Sequence, residues 1–389
     1  MTTILFWSSL TLIVYAYGVF PLLTFLRGAL RRQPYKSADI TPRVSLIIAA
    51  YNEAHSIGSK LENILSLNYP REQLEVIVAS DGSSDGTDEI VRNYENQGIR
   101  LLSRPRQGKA SALNAAVSVA TGNILVFSDA NSIYAPDAIQ ALVRPFADPQ
   151  VGAVAGNQCY LKESKNGTGV GERSYWRFDR KLKQAQSQAG NAISATGAIY
   201  AIRRSLFQTV PEGVTDDFVT STRAIAQGYR LVFAPNAVAY EPVAKTSDVE
   251  FGRKVRVITR GLRAVLQMRE LLNPFRYGFY ALQLFSHKVL RRLVVFPLIT
   301  LLIVTPLLWE RGLFYQLATL AQVIFYGCGG LGMVLSKTRI GRLKILMLPF
   351  FFCMVNVASL LATLNVLRGH RITLWETQRQ IVESSEIAR

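Results

Sequence analysis

Sulfur and imidazole are scarce in this chain of 389 residues. The three cysteines, Cys159, Cys328 and Cys353, stand far apart and two fall in apolar runs, so neither a disulfide framework nor a thiolate zinc site is supported. With only three histidines, a histidine-based metal centre is equally poorly supported. No Walker lysine pattern occurs, which removes the phosphate loop, and the one Gly-x-Gly-x-x-Gly spacing, Gly327 to Gly332, lies inside an apolar run instead of following a strand, so no dinucleotide fingerprint is signalled. Low-complexity tracts and internal repeats are absent, so nothing points to a repeat architecture. Acidic residues are the minority charge, and the net charge is +17. A nucleic-acid partner is nevertheless not expected, because the excess is local. From Lys245 to Arg292 eleven basic residues face three acidic ones, interleaved with Val255, Val257, Leu262, Leu266, Phe275, Phe279 and Leu284. Basic amphipathic helices on an anionic leaflet have this composition.

What the chain has in abundance is apolar sequence, concentrated at its two ends. Leu5 to Leu26 runs without a charge and is followed by Arg27, Arg31 and Arg32. The length suffices to cross a bilayer, and the charges follow the run instead of preceding it, so an uncleaved anchor is expected over a signal peptide. Further apolar segments run from Leu293 to Trp309, Leu313 to Leu335 and Ile345 to Leu367. Lys288, Arg291 and Arg292 precede the first; Lys337, Arg339, Arg342 and Lys344 separate the last two. The positive-inside rule then puts the region from about 27 to 292 in the cytoplasm of a multi-pass plasma-membrane protein. Arg368, His370, Arg371 and Arg379 fit an outside tail poorly, and Pro349 makes a broken or re-entrant last segment an alternative.

Between these ends, short β-rich runs alternate with helical patterns: Val44 to Ala49, Glu75 to Ser80, Ile99 to Leu102, Asn123 to Phe127 and Val151 to Ala155. The alternation predicts an α/β fold with a mostly parallel, Rossmann-like sheet, whose ligands bind beyond the carboxyl ends of the strands. Tyr51-Asn52-Glu53, Asp81 and Asp129 each sit just past a strand and so converge on one rim. Asp129-Ala130-Asn131 there has the chemistry to hold a divalent cation against a diphosphate, although Asp-x-Asn is also a common turn. Asp81-Gly82-Ser83-Ser84-Asp85-Gly86-Thr87 fails as a calcium loop, since its twelfth position is Arg92. Arg106-Gln107-Gly108-Lys109 leads into a helix whose amino end suits a diphosphate. In Thr215-Asp216-Asp217-Phe218 one acid can face the site as a base while the other caps a helix.

Taken together, these residues resemble the membrane-anchored bacterial branch of the family 2 inverting glycosyltransferases of GT-A fold, from about Pro42 to Arg269. The resemblance implies that Ala50, Tyr51, Glu53 and Asp81 hold the nucleotide, with Lys109 and Arg256 reaching the diphosphate. It makes Asp129 and Asn131 the ligands of Mg²⁺ or Mn²⁺, and Asp217 the catalytic base. Thr196, Gly197 and Asp216 are expected to border the donor sugar or the acceptor. It further implies a nucleotide-sugar donor, a UDP-sugar first, and a lipid-linked or glycan acceptor in exopolysaccharide or glycolipid synthesis. One departure stands out. Processive members carry Gln-x-x-Arg-Trp, whereas this chain reads Arg253-Lys254-Val255-Arg256-Val257, and Val257 offers no ring for a sugar to stack on. The expected plan is an anchor at 1–30, a GT-A domain at 40–240, basic interface helices at 241–292, about three membrane segments at 293–370 and a tail at 371–389. The rival readings are a nucleotidyltransferase and a non-catalytic membrane subunit with a degenerate nucleotide-sugar site.

Overall fold

The computed structural model describes residues 1–160, 168–241, 247–336, 338, 340–370 and 372. They form two compact units. One is built on Pro34–Leu161 and Ser194–Pro242, the other on Met1–Gln33, Lys162–Ile193 and Val243–Arg371. The tail expected over 371–389 lies outside the described residues apart from Ile372.

The first unit is an eight-stranded sheet. Its strands are β1 Val44–Ala50, β2 Leu74–Asp81, β3 Ile99–Arg104, β4 Ile124–Asp129, β5 Ile133–Tyr134, β6 Val151–Tyr160, β7 Tyr200–Arg203 and β8 Arg230–Glu241. They lie in the order β3-β2-β1-β4-β7-β6-β8-β5. All seven residues of β1 are buried, as a central parallel strand covered on both faces requires. Leu46, Ile48, Val76, Val78 and Val126 share one core cluster with Ile57, Leu61 and Ile64 of the Ala54–Leu65 helix. Each such side chain contributes about 2 kcal/mol by leaving water.

The sheet is mostly parallel, as expected, with antiparallel strands added to it. β3, β2, β1 and β4 are parallel, but β7 runs antiparallel to both β4 and β6, and β5 antiparallel to β8. β8, which pairs parallel with β6, was missed because Pro235 removes a ladder donor in mid-strand. The structure absorbs it at a register shift between Ala155 and Asn157, where the Asn157 side chain donates to the Pro235 carbonyl at 2.7 Å.

In the second unit, three helical runs are long and apolar enough to cross a membrane: Thr2–Leu30, Leu313–Val334 and Lys344–Leu367. The run expected from Leu293 contains the shorter apolar helix Val295–Val304, followed by a 3₁₀ segment that opens with Pro306. Phe6 clusters with Val304 and Leu308, Tyr15 Oη lies 2.9 Å from Ser286 Oγ, and the Phe20 ring lies against His287. The two runs therefore lie side by side, antiparallel. Pro349 does not break the last helix, which continues to Leu367. Near the start of a long helix, the proline forfeits a single backbone bond.

Candidate active site

The parallel registers set Ala49 beside both Ala79 and Asp129, so the ends of β1, β2 and β4 open on one rim. Ala50 closes β1 and is fully buried. The turn that follows is laced to the loop after β2. Asn52, with a φ of 50°, takes the left-handed conformation its side chain tolerates. Its N–H donates to Ser83 Oγ, and its side chain accepts from the Ser84 N–H. The Glu53 N–H donates to Thr87 Oγ1 at 2.9 Å, and Glu53 Oε2 accepts from Ser56 Oγ at 2.6 Å. Tyr51 lies under the Arg106 guanidinium, which is 3.6 Å from its ring centroid.

Asp81 does not present an open carboxylate. Its Oδ1 accepts from the Gln107 and Gly108 N–H groups at 2.8 and 3.0 Å, and its Oδ2 from Gly108 at 2.9 Å. Burial pushes this carboxyl up, and the two amides oppose the shift. Asp81 thereby shapes the loop that delivers Lys109. Gly82 permits the approach: with a φ of +72°, a Cβ there would stand 2.8 Å from the Arg106 nitrogen.

Lys109 begins the Lys109–Val119 helix and joins two motifs that are far apart in sequence. Its Nζ lies 2.8 Å from Asp129 Oδ1 and 3.3 Å from Asp216 Oδ2. Burial alone would lower this ammonium, but Asp129 and Asp216, with help from the charge of Asp217, hold it well above its ordinary range. Asp216 opens the Asp216–Ala226 helix and turns inward, whereas Asp217 is half-buried and its Oδ1 accepts from the Phe218 N–H at 2.7 Å. Gly197 completes the cluster, since a Cβ there would stand 2.8 Å from Asp129 Oδ2. Of the expected site residues, Asp129, Lys109, Asp216 and Gly197 thus come into direct contact. Arg256 lies on the Ser247–Gln267 helix of the other unit.

The donor set can take a hard divalent cation, though not alone. Among the described residues no group of three His, Cys, Asp or Glu side chains converges as a metal cage. Asp129 supplies a carboxylate and Asn131 an amide, and a cation of the magnesium type completes such a pair with substrate phosphates and water. Asn131 Nδ2, Thr196 Oγ1 and Thr215 Oγ1 are buried without a hydrogen-bond partner among the described residues. Orphaned donors beside this cluster suit a polar ligand.

Four residues around the rim were not read from the sequence: Lys60, Asn63, Ser132 and Glu241. Lys60 carries a signal, because with Ile57, Leu61 and Ile64 it completes the buried stripe of its helix.

A sheet with an acidic turn at its rim, an adjoining lysine and an acidic helix start defines a candidate site with the chemistry to receive a diphosphate. Comparison with known proteins narrows it. Residues 45–210 match glycosyl transferase family 2. The chain is 28% identical over 249 residues to poly-beta-1,6-N-acetyl-D-glucosamine synthase of Staphylococcus aureus (strain COL), covering 62% of this chain and 60% of that one. It is 27% identical over 231 residues to the synthase of the same name from Staphylococcus epidermidis, covering 58% and 56%. The match spans about three fifths of the length of these curated relatives. A solved structure, the mannosyltransferase PcManGT from Pyrobaculum calidifontis in complex with GDP-Man and Mn2+, superposes with a TM-score of 0.69 at 26% identity, over 93% of this chain and 99% of that one. The chain carries a glycosyl transferase family 2 domain of GT-A fold.

Proposed function

We propose that the chain is an inverting glycosyltransferase that moves a sugar from a nucleotide-diphosphate donor to a lipid-linked or glycan acceptor at the cytoplasmic face of the membrane, in exopolysaccharide or glycolipid synthesis. The observation that carries the reading is Lys109, held between Asp129 and Asp216 at the rim of the sheet. A buried cation there meets charge that grows on a departing diphosphate. The family 2 domain and the polymerising relatives support the same conclusion. Since those relatives are named for a polymer of N-acetyl-D-glucosamine and the solved structure holds GDP-Man, UDP-N-acetylglucosamine is the first donor to test and GDP-mannose the second.

The reaction is a single displacement. The acceptor hydroxyl oxygen bonds to the anomeric carbon from the face opposite the diphosphate, the bond from that carbon to the phosphate oxygen breaks, and its electron pair leaves with the diphosphate. Asp217 takes the hydroxyl proton. A carboxylate with an ordinary pKa of about 4 is a weak base toward an alcohol, so the proton moves late. Asp216, paired with Lys109, positions the lysine. A divalent cation held by Asp129 and Asn131 would supply Lewis-acid neutralisation of the diphosphate. Gly197 and Thr196 border the donor sugar, while the Tyr51-to-Glu53 turn and the Asp81 loop frame the nucleoside.

The membrane reading follows from the same plan. The Thr2–Leu30 run anchors the amino end, its basic followers lie inside, and the carboxyl-terminal helices return the chain through the bilayer.

The direct test is Asp217→Asn in the full chain. Nucleoside diphosphate binding should persist while turnover falls at least about a hundredfold. Normal turnover in the variant would remove Asp217 from the mechanism.

A further inference from the structure

Behind the Asp129–Asn131 turn lies a buried polar assembly that none of the functional motifs includes. Lys60 is fully buried on the apolar face of the Ala54–Leu65 helix, a position where methionine or leucine would fill the space without desolvating an amine. Its Nζ donates to the backbone carbonyl of Ser132, the residue that follows Asn131, and lies 3.7 Å from the Tyr134 ring centroid. Glu241, at the end of β8, is 7% exposed. Its Oε1 accepts from Ser132 Oγ at 3.0 Å, and its Oε2 accepts from Gln158 Nε2. One turn along from Lys60, Asn63 pairs with Tyr134 in both directions, Nδ2 to the carbonyl at 2.9 Å and the N–H to Oδ1 at 2.7 Å. Tyr134 Oη in turn donates to the carbonyl of Phe127, ahead of the turn.

We propose that Lys60 and Glu241 are positioning residues that grip Ser132 by its carbonyl and its hydroxyl, and so fix Asp129 and Asn131 in the arrangement that receives a divalent cation and a diphosphate. The proposal rests on the reading of that turn as the cation and diphosphate site. Burial pushes the Lys60 ammonium down to about 7, against the pull of Asp129 and Glu241, but the grip does not depend on its charge. A neutral amine donates the same bond. The helix that carries Lys60 starts at the Tyr51-to-Glu53 turn, so one rigid element sets the nucleoside side of the rim and the acidic turn together. Supporting groups of this kind typically change metal affinity by about 10- to 100-fold when removed.

The test measures Mn²⁺ binding by the full chain in lipid, read from loss of the free-ion electron paramagnetic resonance signal with UDP or GDP present. Lys60→Met should weaken Mn²⁺ binding by about tenfold while leaving metal-free nucleotide binding unchanged. Ser132→Ala, which keeps the Lys60 bond and loses that of Glu241, should shift it less in the same direction. Unchanged Mn²⁺ affinity in Lys60→Met overturns the proposal. If that variant does not fold, unchanged affinity in Ser132→Ala overturns it. Asp129→Ala separates the two levels of the argument: full Mn²⁺ binding in that variant refutes the underlying reading of the turn itself.

Discussion

Replacing Lys109 by methionine keeps most of the side chain's volume and removes one positive charge from between two carboxylates. Asp129 and Asp216 both contact its Nζ, so the two acids are no more than about 6 Å apart, and at an effective dielectric of about 20 they would repel by about 3 kcal/mol. Asp129 has a side chain 32% exposed, so solvent screening reduces this to about 1–2 kcal/mol. The charge-assisted hydrogen bond to Asp129 is lost as well, worth about 1.5 kcal/mol. The total, about 3 kcal/mol, falls within the cost of removing one partner from a buried ion pair. At about 2–4 °C per kcal/mol, the thermal midpoint should fall by roughly 10 °C. Unfolding followed by intrinsic fluorescence in lipid, with chelator present, measures it. Mn²⁺ should then restore part of the loss, because a cation held by Asp129 and Asn131 offsets the charge that Asp216 faces, and Lys109→Arg should lose less. A midpoint unchanged in chelator would refute the claim that the lysine holds these carboxylates together.

Other perturbations probe separate parts of the site. Gly197→Ala sets a methyl 2.8 Å from Asp129 Oδ2 and must turn that carboxylate away, so donor affinity should drop about tenfold or more at constant fold; unchanged affinity in an isothermal titration would contradict the contact. Glu75 accepts from Ser45 and from Thr121 and joins β1, β2 and the turn before β4. Although burial opposes it, these bonds and Arg43 hold its carboxyl below its ordinary range. Its contribution to stability is therefore complete above about pH 4.3 and lost as pH falls through the lower folded value. Glu75→Gln should flatten the acid limb of the unfolding midpoint against pH, and an unaltered limb would show that the pairing is not felt.

The rim of the sheet was legible because the parallel strands β1, β2 and β4, buried on both faces, read as largely apolar runs, and aspartates end two of them, Asp81 and Asp129, while Tyr51-Asn52-Glu53 follows the third. Lys109 was legible as a base at a helix start, but not its partners, since nothing in the spacing brings Asp216 to it across more than a hundred residues. Asp81 shows a different limit. A carboxylate past a strand looks the same whether it awaits a nucleoside or holds two backbone amides, and here it holds the amides. β8 was hidden by Pro235, whose missing donor argues against a strand unless a register shift accommodates it. Lys60 was hidden because a lone charge in an apolar stripe is easily read as surface, although its spacing from Ile57, Leu61 and Ile64 places it inside.

The central claim, transfer of a sugar from a nucleotide-diphosphate donor at this rim, is tested most directly by nucleoside diphosphate release. Purified chain in lipid would be given UDP-, GDP- and TDP-sugars in turn, with Mn²⁺, Mg²⁺ or chelator and a membrane extract as source of acceptor. The account predicts metal-dependent release from one donor that disappears in Asp217→Asn. Failure of every donor to bind or to react would contradict it and favour a non-catalytic membrane subunit.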